Sequence, residues 1–322
     1  MNVLYSIYSS WKSLLGLNDS ENGWTGERLL VQPANQLSSL KVIRFMIKAI
    51  GGMTNVREFH FEWTDLPLMT DTKLLLESMG VAFGQNLRKL ILHAHISNFK
   101  ELDGITGSIC ALDDLELHFD YASKTSSSIT NDGDPDNDEF EHEELIGTVL
   151  PFIEKSGEHL QSLLICSSSS VDLSDFFASL PSMPLLQRFG VRISFEKPYL
   201  SDPSRLMVYL KNHSSTLRHI QLSPNLPYSK TGMLQHRKME IWDPINDILV
   251  ADRALLSNLD SLDIPFVSLA KTLPLLQRSA NTLTSLSLMN HTFSSDEVVG
   301  VLSLFSHRKP GLQTLHMDSE SL

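Results

Sequence analysis

The stretch "LTSLSLMNHTF" at 283–293 fits a simple template: L-x-x-L-x-L, then polar residues, then another apolar one. Twenty-nine residues after Leu283, "LQTLHMDSESL" fits it again from Leu312. Reading backwards in the same register gives seven more matches. They are "LDSLDI" at Leu259, "LRHIQL" at Leu217, "LQRFGV" at Leu186, "LQSLLI" at Leu160, "LDDLEL" at Leu112, "LRKLIL" at Leu87 and "VREFHF" at Val56. Six of the eight spacings fall between 24 and 31 residues, and the other two, 42 and 48, carry insertions. One such hexapeptide means little in a leucine-rich chain. Nine in series at near-constant spacing are the signature of a repeat array, whose unit here would be a short strand plus a helix.

Between the strands, "TDTKLLLESMGVAFGQ", "EELIGTVLPFIEKSGEH", "DPSRLMVYLKNHS" and "SSDEVVGVLSLFSHRKP" have helical periodicity. Several open on Asp, Ser or Thr followed by an acidic residue, as helix starts do. Pro203 and Pro244 follow aspartates, where proline suits a first helical position. The expected fold is α/β: an irregular leucine-rich-repeat solenoid, or horseshoe, with a parallel concave sheet and outer helices. The asparagine usual in the first repeat loop is mostly missing; only Asn225 and Asn290 lie near that place. The loops must therefore be held in another way. Residues 1–50 are expected to form an irregular N-terminal cap and 51–322 the array. The ninth strand ends at Met317 and no polar capping repeat follows, which predicts a covering partner, self-association through that end, or an incomplete chain.

Bulk properties narrow the function classes. A chain of 322 residues with 42% hydrophobic content folds. No apolar run is long enough to span a membrane, and the start has no basic, then apolar, leader pattern. Two cysteines make no disulfide framework and suit a reducing compartment, cytoplasm or nucleus. The net charge is −12, with eight acidic residues inside 132–144. A chain without a basic stripe is expected to bind neither nucleic acid nor anionic membrane.

The insertions are expected near 119–143 and 223–242. The first is serine-rich, then acidic, and reads as a disordered loop. Asp132, Asp134, Asp136 and Glu143 match calcium-loop positions, but Asn137 replaces the required glycine and Glu139 adds a misplaced acid. The second insertion mixes proline, glycine and Tyr228 and has two readings of equal weight, a functional loop with a mildly basic "QHRKMEIW" segment or a surface excursion closed by Trp242 on the core.

Strand alternation turns the third, fifth and seventh template positions to the concave face. That face is the expected site of a protein partner. Its candidate residues are Lys89, Ile91, His93, Asp114, Glu116, His118, Ser162, Leu164, Cys166, Arg188, Arg192, His219 and Gln221. Ile91 and Leu164 are apolar among charges, and Arg188 and Arg192 follow the acidic Asp114 and Glu116, a mixture that suits protein binding. His93, His118 and Cys166 share one row and could form a Cys–His dyad or three zinc ligands, yet the row shows no orienting acid beyond Glu62. The chain holds no G-x-S-x-G, phosphate-binding glycine loop or H-E-x-x-H. The expectation is a binding protein: no enzyme, no cofactor, no metal.

From about residue 30 the chain resembles the repeat domain of fungal F-box/leucine-rich-repeat proteins. The resemblance rests on "SLKVIRFMIKAIGGMTNVREFHFEW" (39–63), "LRKLILHAHI" (87–96) and "LDDLELHFDY" (112–121). It implies a substrate-recognition role in a ubiquitin ligase. No F-box, with its Leu-Pro start and closing tryptophan, precedes the repeats here, so a Skp-type adaptor is expected only if an F-box exists outside this chain. The alternative expectation is a stand-alone scaffold or inhibitor.

Overall fold

Nine strands hydrogen-bond side by side, all parallel, in strict sequence order. They are β1 (Glu58–Trp63), β2 (Lys89–His95), β3 (Asp114–Asp120), β4 (Ser162–Ser167), β5 (Arg188–Ile193), β6 (His219–Pro224), β7 (Ser261–Pro265), β8 (Ser285–Met289) and β9 (Thr314–Met317). The computed structural model describes residues 44, 46–63, 70–96, 99, 102, 107–109, 111–120, 142–143, 145–167, 172–193, 200–224, 242–251, 255–265, 268–289, 293–306 and 311–317. The sheet is open, and helices fill most of the crossovers. They are α1 (Thr70–Phe83), α2 (Leu150–Ser156, entered through a π-turn at Leu145–Val149), α3 (Ser174–Ser179), α4 (Pro203–Asn212), α5 (Trp242–Ala251), α6 (Leu269–Ser279) and α7 (Ser295–Phe305). This is the α/β repeat solenoid that the nine hexapeptides predict.

The register is that of the template at every step. Glu58, Lys89, Asp114, Ser162, Arg188, His219, Ser261, Ser285 and Thr314, all third positions, form one continuous row across the sheet. The fourth and sixth positions point the other way, into the core against the helices. From β2 to β8 the aliphatic residues of these rows are at most 3% exposed, Leu115, Leu117, Ile165, Leu222, Leu262, Leu286 and Leu288 being fully enclosed. The first-position leucines at the strand entrance, such as Leu87, Leu112, Leu160, Leu186 and Leu217, complete the same core. Each repeat is too thin to bury its own apolar face, so only stacking closes the core.

Backbone hydrogen bonds tie each strand entrance to the next. At all eight steps the carbonyl at the second template position accepts two N–H groups from the next repeat. Arg57 O accepts from Arg88 N and Lys89 N, Arg88 O from Asp113 N and Asp114 N, and so on to Thr284 O with Gln313 N and Thr314 N, at 2.8–3.1 Å. The side chain at that position can then vary freely.

An aromatic seam supplements the leucines. Phe99 packs on Phe119 and Phe152, and Phe177 on Phe189, which meets Tyr209 at 5.1 Å between centroids. His213 is buried at the end of this seam. Its Nε2 accepts from Met183 N at 3.0 Å, so Nδ1 carries the proton and donates to Tyr209 O at 2.9 Å.

Several sequence expectations shift by a residue or more. Phe119 and Asp120 belong to β3, and Ser223 and Pro224 to β6, so both insertions are shorter than 119–143 and 223–242. Their interiors, the calcium-like aspartates and the Trp242 side chain lie outside the described residues, as does the N-terminal cap apart from 44 and 46–50, which are helical. Pro203 opens α4, but α5 starts at Trp242, which puts Pro244 third rather than first.

Candidate functional site

The thirteen candidate residues all lie on β2–β6 and all belong to the helix-free face. The fifth-position row reads His60, Ile91, Glu116, Leu164, Gly190, Gln221, Asp263, Ser287, His316. The seventh-position row aligns Glu62, His93, His118, Cys166, Arg192 and Ser223. The long insertion between His118 and Cys166 therefore does not disturb their pairing.

A groove of about 330 Å³ opens across β3–β7 in the middle of this face. Its floor is Leu164 and Gly190. A methyl group at Gly190 would stand 2.4 Å from Leu164 Cδ1, so the Leu164 side chain lies across the bare glycine backbone. The pair makes one apolar patch two strands wide. Asp114 and Glu116 wall one side, Gln221 and Asp263 the other, with Arg188 and His219 at the third-position end. Ile91 stands outside the groove beside Glu116 and is only half-buried. Sequence reasoning missed Gly190, Ser261 and Asp263 as groove residues. Gly190 looks like a gap in its row, and its role is visible only once Leu164 is seen lying over it.

Electrostatics divide the face. Lys89 Nζ sits 3.7 Å from Glu58 and 3.8 Å from Asp114, a surface ladder of small energetic value. Glu116 Oε1 lies 2.8 Å from His118 Nε2, and that hydrogen bond holds the carboxyl below its usual range against the opposing effect of burial. Asp263 shifts the other way: burial raises it, although Ser287, Gln221 and the distant Arg192 pull it down. Its Oδ2 accepts from Gln221 Nε2 at 2.9 Å, while Oδ1 has no hydrogen-bond partner among the described residues. Burial lowers His219, assisted by Arg188 and opposed by Asp260.

Cys166 departs from the expected surface position. It is 4% exposed, and burial pushes its thiol up to about 12. Such a thiol is protonated at neutral pH and is a poor nucleophile. The row of three expected from sequence is completed differently: Glu116, His118 and Cys166 bring donor atoms within 4.8 Å of one another, and the His93 ring lies 5.4 Å from that of His118.

No family model matches the chain, and no curated protein matches it. Among solved structures, a Bacteroides fragilis protein from the Northeast Structural Genomics Consortium aligns with a TM-score of 0.53 at 10% identity, over 98% of this chain and 82% of that one. The likeness concerns the fold, an open parallel sheet with flanking helices. No helix among the described residues is long and apolar enough to cross a membrane.

Proposed function

We propose that this chain is a protein-interaction module that holds a segment of a partner protein in the groove across β3–β7. The observation that carries the reading is the Leu164–Gly190 floor framed by carboxylates on both sides and by Arg188 at one end. An apolar centre with a charged, solvated rim is the anatomy of a binding hot spot. The partner segment that fits presents an aliphatic side chain to Leu164 and a basic group toward the partly exposed carboxylates of Asp114 and Glu116. The other candidates have flanking roles: Lys89, Ile91 and His93 at one edge, Ser162 and His219 along the third-position row, Arg192 beyond the groove. The task is recognition without chemistry. The resemblance to F-box/leucine-rich-repeat proteins favours substrate recognition for a ubiquitin ligase in cytoplasm or nucleus, with a Skp-type adaptor engaged only through an F-box outside this chain.

The test is affinity capture from extract of the source organism with wild type, Leu164→Glu, Arg188→Glu and, as a control on the helical face, Val208→Glu. The expected result is a stoichiometric protein retained by wild type and the control and lost by both groove variants. Retention by Leu164→Glu would remove the reading. A Skp-type adaptor and a cullin in the wild-type eluate support ligase coupling; a single partner without them supports a stand-alone scaffold.

A further inference from the structure

Beside the groove, two strands place three metal-ligating side chains together. Glu116 and His118 are two residues apart on β3 and so share a face, and Cys166 on β4 is the register partner of His118. Their donor atoms lie within 4.8 Å of one another. Tetrahedral zinc, at the usual Zn–N, Zn–O and Zn–S lengths, holds its ligands roughly 3.3–3.6 Å apart. Reaching that spacing takes side-chain movement on the fixed ladder: Glu116 Oε1 and His118 Nε2, hydrogen-bonded at 2.8 Å, part by about half an ångström as His118 shifts its proton to Nδ1, and the widest pair closes by about an ångström.

The chemistry of the set is selective. A thiolate with an imidazole suits zinc-like ions and disfavours magnesium and calcium, which take oxygen donors. Cys166 and Glu116 as anions with neutral His118 balance a divalent cation. Burial makes an uncoordinated Cys166 thiolate costly, and coordination by a cation is the ordinary way to relieve that cost.

We propose that Glu116, His118 and Cys166 form a site for a zinc-type divalent transition metal, with its fourth position open toward the helix-free face. Binding exchanges a proton for the ion: the metal–sulfur bond forms as the S–H bond breaks, and the proton leaves to solvent. The site stands independently of partner binding, although Glu116 belongs to both.

Cobalt(II) is the probe. The full chain, reduced with a phosphine and stripped with chelator, is titrated with Co²⁺ under absorbance. The expected result is an intense near-ultraviolet thiolate-to-cobalt band that saturates at one equivalent, with about one proton released per ion near neutral pH. Zinc should displace the cobalt. Cys166→Ser should abolish the band, and His118→Ala and Glu116→Gln should each weaken binding by more than about tenfold. Absence of the band in folded wild-type protein overturns the site, and so does an affinity unchanged in both His118→Ala and Glu116→Gln.

Discussion

Asp263 is a carboxylate in a place that does not favour its charge. Burial raises its pKa above the ordinary value despite hydrogen bonds from its neighbours. The sign follows from linkage. A carboxyl whose folded pKa exceeds its unfolded one costs nothing while both states are protonated. It destabilises the fold increasingly as pH rises from the unfolded pKa through the folded one. Asp263→Asn is therefore expected to raise the thermal midpoint at neutral pH. The gain should vanish in acid well below the ordinary carboxylate range. A lower midpoint at neutral pH would show that the ionised oxygen is stabilised by something other than Gln221 and Ser287. In the sequence Asp263 is one aspartate among many; its burial depends on how closely β7 approaches β6 and β8, and the hexapeptide does not report that.

At the scale of elements, α7 shows how local chemistry fixes a boundary. Ser294 Oγ accepts from Glu297 N at 3.3 Å, and Glu297 Oε2 accepts from Ser294 N at 2.9 Å, a complete capping box. Ser294→Ala is expected to cost about 1 kcal/mol, readable as a shift in the urea midpoint with an unchanged slope. A loss under about 0.3 kcal/mol would mean that α7 is held by packing alone. The same logic explains which helices can be read from sequence. α1 runs for fourteen residues, long enough for its apolar period to show, and α4 and α7 add capping residues ahead of them, Asp202 and Ser294. α3 has only six residues, too few for a period, and α6 carries Pro274 inside it, a residue that ordinarily breaks helices. The strands are legible for a different reason. The template sets register directly, because a slip of one residue would turn every leucine out of the core. That is why the rows of the helix-free face can be written residue by residue from the sequence. The groove cannot, since its floor depends on the lie of a single side chain over Gly190.

Across the whole molecule, stability should grade along the array. Each repeat meets only its neighbours, so burial within a strand depends on having one on both sides. In β8, Leu286 and Leu288 are fully enclosed, whereas Leu315 and Met317 of β9 are only half-buried, and Phe59 of β1 is likewise half-buried beside a buried Phe61. The middle strands, β3–β6, carry the aromatic seam, the buried His213 and the doubled carbonyl bonds on both sides. Opening β9 exposes little apolar surface; opening β4 breaks the core of two repeats at once. Native-state hydrogen exchange is expected to be slowest for amides of β3–β6 and fastest for those of β9, with β1 between them. The groove lies on those four strands and β7. A partner held there meets a surface that is already ordered and so does not have to supply the free energy of ordering it. Equal protection of β9 and β4 would mean that the array opens only as a single unit, and the nearest-neighbour account of its stability would fall with that result.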